Sequence, residues 1–476
     1  MYYYRHGEVI FASLLPDLPL EPAKRPSAGT PSLFLIDRDP IRSRSSFCVS
    51  DPRQLTAETE DVTWLDPSRM GVPVPSLPKR LQHTIDARLL RAVNIRHPRW
   101  ADFTKASAMH LPSRLRVNLL AVGDVGSTLL TALKLLGGDC IESIGICDLN
   151  QKTVARWVTE MEQVSWPWDY DALPAVEPVA AGDLFRCDVF LFAATRGVPP
   201  VGGGVRDVRM AQFGANRPLV EDYARQARQA GFRGLFIVLS DPVDPLCKAA
   251  YLASNQGPDG QWDGQGLRAE QIQGFGLGVM NARAAYFAKQ DPRFRSFLLD
   301  GRSYGPHGQG LVIANSLSHY DDGLSRELTE LVATANLRIR ELGFKPYVAP
   351  AISSGAMQLL LTLRRSWHCS SVALGGIWFG VRNRLTAAGL EIETASLPTP
   401  LFERLRALRK RLADEAGKPP YIVFSDAALR DMCAKRPATD EEFLEVSGVG
   451  ATKLARYGEA FLSEIAAFEQ GLANGR

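Results

Sequence analysis

Short apolar runs alternate with amphipathic stretches from residue 114 to about residue 395. The runs LRVNLLAV, SIGICD, DVFLFAAT and GLFIVLSDP are rich in β-forming residues, and each ends at a polar or glycine-containing turn. Segments with helical spacing, such as GSTLLTALKLLGG and RPLVEDYARQARQAG, lie between them. Strands that alternate with helices in this way predict a parallel sheet covered by helices on both faces.

The flanking parts of the chain have different patterns. Residues 1–113 combine proline clusters with short apolar runs, a strand–turn–strand pattern around Gly7 and a helix-like stretch, LPKRLQHTIDARLLRAVNI. We expect a small α+β extension there and assign it no role. A linker, TASLPTP at 394–400, precedes a dense series of amphipathic helices at 401–470. The apolar positions of the first of these helices, spaced three or four apart, are Leu401, Leu405, Leu408 and Leu412.

The composition is that of an ordinary globular protein, with 476 residues, 45% hydrophobic and 22% charged. A net charge of +3 is too small to indicate a nucleic-acid or anionic-membrane surface. The seven cysteines are scattered without a CxxC pair, so we predict neither a metal site nor a disulfide framework. The opening MYYYRHGEVIFASLL lacks a signal-peptide pattern and the apolar runs are too short for a bilayer, so we expect a cytoplasmic protein without membrane attachment.

A glycine turn follows the first strand of the alternating region. In AVGDVG, Gly123 and Gly126 stand where a strand passes into a helix, and Ala121 occupies the first position of the usual glycine triplet. Backbone N–H groups and a helix N-terminus at such a turn can bind a pyrophosphate. Asp148 ends the next strand, where a carboxylate accepts ribose hydroxyls and repels a 2′-phosphate, which favours NAD over NADP. The alternative is a tight turn that binds nothing. The candidate cofactor-binding residues here are Gly123, Asp124, Val125, Gly126 and Asp148.

Several motifs together resemble the lactate/malate dehydrogenase family over residues 115–390. They occur in the family's order as AVGDVG, CDLN, FAATRGVPPVGGGVRDVRMAQFGAN, VLSDPVDP, GFGLGVMNARAAYF and GPHGQG. The resemblance implies that His307 in GPHGQG is the catalytic acid/base and that Arg283 in NARAAYF binds the substrate carboxylate. It also implies that Arg209, on a glycine-rich mobile loop, polarises the substrate carbonyl, and that Asn216 contributes to cofactor binding. A histidine suits this role because reduction of a ketone leaves an alkoxide that needs a proton near neutral pH.

Three positions depart from the family pattern. Met280 stands where the family has the aspartate that pairs with the histidine, and the adjacent Asn281 is a candidate to orient the ring without a charge. Asp241 stands where the family has an asparagine, and this change has three interpretations. The carboxylate selects a substrate that carries an amine, it repels an ordinary 2-oxo acid, or it marks a site that has lost its activity. The loop position that distinguishes lactate from malate is Gly203, with Arg206 as a candidate substitute, and Ser353 matches a hydroxyl of the family's pocket. The predicted substrate-pocket residues are therefore Asp241, Asn281, Ser353 and Arg206.

The C-terminal seventy residues resemble the HRDC domain through LRKRLADEAGKPPYIVFSDAALRDM, PATDEEFLEVSGVG and KLARYG. The resemblance implies a five-helix bundle that binds a protein partner or single-stranded nucleic acid. Ser425 and Asp426 predict a helix start after Pro419-Pro420, and Ser447–Gly450 predicts a tight turn between helices. Residues 401–470 hold 11 Lys/Arg and 12 Asp/Glu, a balance that favours a protein partner over nucleic acid.

These predictions divide the chain into five units. They are an extension of unknown role at 1–113, an NAD-binding Rossmann domain at 114–245, a substrate domain at 246–393, a linker at 394–400 and the HRDC domain at 401–470. The leading hypothesis is an NAD-dependent oxidoreductase of a 2-hydroxy/2-oxo acid or an amine-bearing analogue, assembled as a homo-oligomer. The alternatives are a catalytically degenerate NAD sensor or scaffold whose HRDC module docks a partner, and an accessory factor in nucleic-acid processing.

Overall fold

The computed structural model describes residues 1–26, 32–104, 113–196, 208–395 and 400–474. The N-terminal part forms a six-stranded sheet of order β3-β1-β2-β4-β6-β5. Its elements are β1 (Tyr2–His6), β2 (Val9–Ser13), β3 (Glu21–Pro22), β4 (Leu33–Ile36), β5 (Ser46–Cys48), α1 (Lys79–Asp86) and β6 (Arg91–Asn94). The predicted hairpin is confirmed, since β1 and β2 pair antiparallel around Gly7, whose φ of +59° suits a glycine in the tight turn.

The stretch predicted as one helix at 77–95 is helical only in its first half. Helix α1 ends at Asp86, Arg88 takes a left-handed φ of +59°, and residues 91–94 form the fully buried strand β6. Strand β6 lies between β4 and β5, so pairing with strands distant in sequence overrides the local helical pattern.

The central sheet has nine strands in the order β17-β16-β15-β12-β11-β10-β7-β8-β9. Its strands are β7 (Leu115–Leu120), β8 (Ile141–Cys147), β9 (Ala175–Pro178), β10 (Val189–Phe192), β11 (Leu235–Val238), β12 (Ile272–Gly274), β15 (His368–Leu374), β16 (Ile377–Thr386) and β17 (Gly389–Ile392). The six strands β7 to β12 are parallel and follow the Rossmann order, while β15 to β17 extend the sheet antiparallel. This order confirms the predicted Rossmann-type sheet.

Helices connect these strands and cover the sheet. They are α2 (Asp124–Leu136), α3 (Gln151–Met161), α4 (Val208–Gln229), α5 (Val243–Ser254), α6 (Leu277–Gln290), α7 (Phe297–Asp300), α8 (Asp322–Glu341) and α9 (Met357–Leu363). A two-stranded ribbon of β13 (Arg302–Tyr304) and β14 (Val312–Ala314) follows α7, and a π-helical stretch, Pro350–Ala356, leads into α9. Strands β10 and β11 are buried along their whole length, as expected for the centre of a parallel sheet.

The N-terminal sheet is fixed to the central region through a continuous apolar core and buried polar contacts. One cluster of buried side chains includes Phe34 and Trp64 of the N-terminal part together with Val117 and Leu374 of the central sheet. Arg91 donates to the carbonyl oxygens of residues 387 and 388 at 2.7 and 3.1 Å. The extension is therefore an integral layer of the α/β structure.

The C-terminal helices form the expected five-helix unit with its own core. They are α10 (Pro400–Glu415), α11 (Pro420–Val423), α12 (Asp426–Lys435), α13 (Asp440–Leu444) and α14 (Ala451–Asn474). Ser425 caps α12 by accepting a hydrogen bond from the Ala428 N–H at 3.1 Å, and Gly448 takes a φ of +79° between α13 and α14. In the predicted leucine stripe of α10, Leu401, Leu405 and Leu408 are buried and Leu412 is partly buried. Residues 396–399 of the predicted linker lie outside the described residues.

Candidate active site

Several of the predicted site residues, namely Gly123, Asp148 and Asp241, lie at the carboxyl edge of the parallel sheet, where His307 contacts Asp241. The turns after β7, β8, β10 and β11 all open on this edge because the strands run in the same direction. The strand order reverses between β7 and β10, the position at which open α/β sheets form a crevice between their two halves. Ligands of open α/β sheets bind at such a crevice.

The two glycines of the turn after β7 have different surroundings. A Cβ atom added at Gly126 would lie 2.0 Å from the backbone oxygen of Ala121, so Gly126 allows helix α2 to pack against its own strand. A Cβ atom at Gly123, the N-cap of α2, would have no heavy atom within 4 Å. Gly123 therefore leaves open space in front of the helix N-terminus, which fits a pyrophosphate. Ala121 takes a φ of +73° in the place of the first glycine.

Asp148 ties the end of β8 to the glycine turn. Its Oδ2 accepts a hydrogen bond from the Val122 N–H at 3.0 Å, and its Oδ1 accepts one from the Asn150 N–H at 3.0 Å. A carboxylate oxygen can accept more than one hydrogen bond, so the half-buried group retains acceptor capacity for ribose hydroxyls. The donor set of this crevice thus fits the adenosine half of NAD.

The other residues expected around the cofactor differ in how far they are buried. Val125 is half-buried in the first turn of α2, and the exposed carboxylate of Asp124 forms an ion pair with Lys345 at 3.3 Å. Asn216, on α4, is buried: its Oδ1 accepts from the Arg196 N–H at 2.9 Å and its Nδ2 donates to the Asp241 carbonyl at 2.8 Å. In the described structure, Asn216 joins the turns after β10 and β11.

His307 lies beside two carboxylates. Its Nδ1 is 3.1 Å from Oδ1 of Asp241, and its backbone N–H donates to Oδ2 of Asp244 at 3.3 Å. The ring packs against Gly276, where an added Cβ would lie 2.8 Å from the His307 Cβ atom. Met280 on α6 offers the histidine no carboxylate. The acidic neighbour of His307 is instead Asp241, in the turn after β11.

Asp244 is a part of the site that the sequence pattern did not identify. Its carboxylate is buried in the first turn of α5 and also accepts a hydrogen bond from the Ser371 hydroxyl of β15. Burial raises the pKa of the Asp244 carboxyl, whereas the contacts with Ser371 and His307 act in the opposite direction. Only its position in a helix N-terminal turn, three residues after Asp241, was visible in the sequence.

Arg283 is a half-buried residue of α6. Its Nη1 donates to the Val332 carbonyl at 3.4 Å and lies 3.7 Å from the Met280 sulfur. Burial lowers the pKa of the guanidinium, and the charge of Asp241 opposes this shift. Arg283 is therefore within electrostatic range of the carboxylate that contacts His307.

The remaining predicted pocket residues make contacts of their own. Asn281, a candidate to orient the histidine ring, accepts a hydrogen bond from the Ser303 hydroxyl at 3.4 Å. Ser353 is half-buried in the π-helical stretch, and its carbonyl accepts from Gln358 at 2.7 Å. The neighbouring Ser354, which the sequence analysis missed, joins this stretch to the start of α6, donating to the Gly276 carbonyl and accepting from the Val279 N–H, both at 2.8 Å.

Two loop predictions fall on parts that the structure does not describe. Gly203 and Arg206 lie outside the described residues. Arg209 is in the first turn of α4, but its side chain is likewise outside them. Within the described ranges, no cluster of three or more His, Cys, Asp or Glu side chains could hold a metal ion. None of the described helices is both long and apolar enough to cross a membrane.

Comparison with known proteins gives two separate similarities. Residues 399–465 match the HRDC domain model. The chain is also 53% identical over 68 residues to the ATP-dependent DNA helicase RecQ of Bacillus subtilis, a match that covers 14% of this chain and 12% of the helicase. The second similarity is to lactate dehydrogenases. L-lactate dehydrogenase 1 of Lactobacillus acidophilus is 26% identical over 140 residues, covering 29% of this chain and 40% of that enzyme.

The L-lactate dehydrogenase of Treponema denticola is 24% identical over 203 residues, covering 43% of this chain and 58% of the enzyme. The chain therefore spans less than two thirds of the length of each of these relatives. The solved structure of the minor L-lactate dehydrogenase from Enterococcus mundtii aligns with 64% of this chain and 99% of its own, at 19% identity and a TM-score of 0.48. The chain is therefore similar in sequence to lactate dehydrogenases over part of its α/β region, and its residues 399–465 match the HRDC domain model.

Proposed function

We propose that the protein is an NAD-dependent oxidoreductase that interconverts a 2-hydroxy acid and a 2-oxo acid, or an amine-bearing analogue. The observation that carries the proposal is the contact between His307 Nδ1 and Asp241 Oδ1, at 3.1 Å, on the carboxyl edge of a Rossmann-order sheet. An imidazole that is held by a carboxylate at a ligand-binding edge is suited to proton transfer.

The residues that would hold the cofactor lie on one side of the crevice. The N-terminus of α2 around Gly123 would bind the pyrophosphate, and Asp148 would accept hydrogen bonds from the adenosine ribose. When bound, NADH supplies the hydride for the carbonyl carbon of the substrate. Asn216 would act indirectly, by fixing the turns after β10 and β11.

The residues that would act on the substrate come from the other side of the crevice. Arg283 offers a guanidinium to the substrate carboxylate, for which paired N–H donors are suited. His307 would give a proton from Nε2 to the carbonyl oxygen during reduction and remove it during oxidation, while Nδ1 faces Asp241. Arg209, which lies in the first turn of α4 and not on the loop that the sequence predicted, is proposed to complete the pocket together with Arg206 of the preceding glycine-rich segment.

The proposal is tested by NADH binding and turnover. We expect NADH to quench or enhance fluorescence in a saturable way, and at least one 2-oxo acid from a panel of different side chains to consume it at 340 nm. The panel is run with and without ammonia, because only an amine-bearing product depends on it. Saturable NADH binding without turnover of any panel member would favour the sensor or scaffold function. Absence of NADH binding would contradict both.

For the HRDC unit we propose docking to a protein partner. The first helix of the unit carries a basic run, ERLRALRKR at 403–411, and two of its arginines are engaged with acids: Arg404 with Glu464, and the buried Arg409 with Asp426 at 2.7 Å. Guanidinium groups in such pairs are less available to phosphates, and the unit has no positive excess.

We therefore expect the full chain to bind a fluorescein-labelled oligo(dT) no more tightly than about 100 µM at physiological salt, the weak limit of non-specific binding. Fluorescence anisotropy across a salt series measures this, with the double variant Glu464→Gln, Asp426→Asn as a matched control that frees Arg404 and Arg409. Micromolar or tighter binding by the wild type with a steep salt dependence would instead indicate a nucleic-acid partner.

A further inference from the structure

We propose that Asp241 is the positioning residue of His307, holding the neutral imidazole in the form that carries its proton on Nδ1 and presents Nε2 to the substrate. This inference rests on the proposed oxidoreductase function for its kinetic consequences. The geometric basis of the inference does not depend on the proposed function. A carboxylate oxygen only accepts hydrogen bonds, so the ring nitrogen that faces it must be the protonated one.

The turn that carries Asp241 is anchored on both sides. The buried amide of Asn216 donates to the Asp241 carbonyl at 2.8 Å, and the Ser240 hydroxyl donates to the Ala194 carbonyl at 2.6 Å. These contacts tie the turn to α4 and to the segment after β10. The carboxylate of Asp241 is therefore presented from a fixed backbone, although its side chain is 51% exposed.

The loop that carries His307 is held equally well. The Gly305 N–H donates to the Gly380 carbonyl of β16 at 2.9 Å, and the His307 N–H donates to the Asp244 carboxylate. Gly276 lies against the ring, with no room for a Cβ atom. With the backbone fixed and one face of the ring covered, the remaining freedom is rotation of the imidazole, which the contact with Asp241 restricts.

The two carboxylates near His307 have different tasks. Asp244 is buried, contacts the backbone N–H of His307 and shares its other oxygen with Ser371, so it holds the loop. Asp241 contacts the ring and, being half exposed, bears its charge at a lower desolvation cost. The charged groups that interact with His307 in the described structure are Asp241 and Asp244, and the guanidinium of Arg283 lies within electrostatic range of Asp241.

The carboxylate reaches the histidine from an element other than α6. Met280, three residues before Arg283, presents a thioether to that guanidinium, and a thioether cannot orient an imidazole. Asp241 comes instead from the β11–α5 turn, 66 residues from His307 in sequence. Because the Asp241 carboxylate contacts the His307 ring, it is less available to bind a substrate amine.

The test is Asp241→Asn, which preserves shape and removes the charge. An amide can donate to Nδ1 and thereby stabilise the opposite ring form. We expect kcat to fall at least about 100-fold with less than about a threefold change in KM, since the substrate carboxylate is bound elsewhere. Asp241→Glu, which keeps a carboxylate within reach, should recover part of kcat. Asp259→Asn, an exposed aspartate on a distant loop, serves as the matched control and should leave both constants unchanged.

Nitrogen-15 NMR of the His307 ring, assigned by comparison with His307→Gln, provides a readout that needs no turnover. We expect the wild type to carry the proton on Nδ1 in its neutral form and Asp241→Asn to shift the proton toward Nε2. If neither the wild type nor any variant turns over substrate, but Asp241→Asn still moves the ring proton toward Nε2, the proposed function is contradicted and the role of Asp241 stands. An unchanged ring signal together with unchanged kcat in Asp241→Asn would overturn the inference, provided that thermal melting shows both proteins folded.

Discussion

Replacing His307 with alanine is expected to lower kcat by about 1,000-fold, or about 4 kcal/mol, with NADH affinity preserved. The reason is that the proposed function assigns proton exchange with the substrate oxygen to the imidazole, whereas the proposed cofactor contacts are made at α2 and Asp148. Removal of the ring also leaves the Asp241 carboxylate beside the substrate without its hydrogen-bond partner, and its uncovered negative charge repels a 2-oxo acid.

The measurement is steady-state turnover at 340 nm beside an NADH titration of the same preparation. His319→Ala is the matched control. This exposed histidine follows β14, outside the proposed site, and its removal should leave kcat unchanged. A His307→Ala protein that retains more than about one tenth of the wild-type kcat would contradict the acid/base assignment.

The second large effect is expected from Gly126→Ala. The new Cβ atom would lie 2.0 Å from the Ala121 carbonyl oxygen and 3.0 Å from its carbon, both backbone atoms that cannot rotate away. Alanine is intrinsically favoured over glycine in a helix by about 1 kcal/mol, but forcing α2 away from its strand costs about 3 kcal/mol. We therefore expect a net loss of about 2 kcal/mol in the free energy of unfolding. NADH binding should be weakened as well, because α2 moves.

Gly123→Ala separates packing from ligand access. A Cβ atom there has no heavy atom within 4 Å, so the unfolding free energy should change by less than about 1 kcal/mol. The same methyl group projects into the space in front of α2, so NADH affinity should fall at least tenfold, about 1.4 kcal/mol. Denaturant melts and NADH titrations of the two variants measure both quantities. Equal stability of Gly126→Ala and wild type, or undiminished NADH binding by Gly123→Ala, would argue against these respective roles.

The local parts of the site followed from local patterns. Gly123, Gly126 and Asp148 lie three, six and one residues beyond the end of an apolar strand, so their position at the sheet edge follows once the strands are parallel. In the same way, Ser425 caps α12 because its side chain needs only the first turn of the helix that follows it. Such features depend on contacts within a few residues of the chain.

Other features did not follow from the sequence because they depend on distant neighbours. Residues 91–94 form a strand because they fill a gap between β4 and β5, although their sequence continues a helical pattern. Met280 suggested a histidine without a partner, whereas the acidic neighbour is Asp241, which the sequence left between three interpretations. Asp244 and Ser354 carried no recognisable signal, since their hydrogen bonds join segments 63 to 127 residues apart.

The sequence by itself thus determined the strand–glycine–helix turn, the position of Asp148 directly after β8 and the capped helices of the HRDC unit, because these features follow from residues adjacent in the chain. Tertiary structure alone decided which carboxylate faces His307, which serine fixes the start of α6 and how the N-terminal sheet joins the central core. The physical reason is that a side chain's chemical role depends on the atoms within about 3 Å of it. In this protein those atoms come from strand ends that only the order of the sheet brings together.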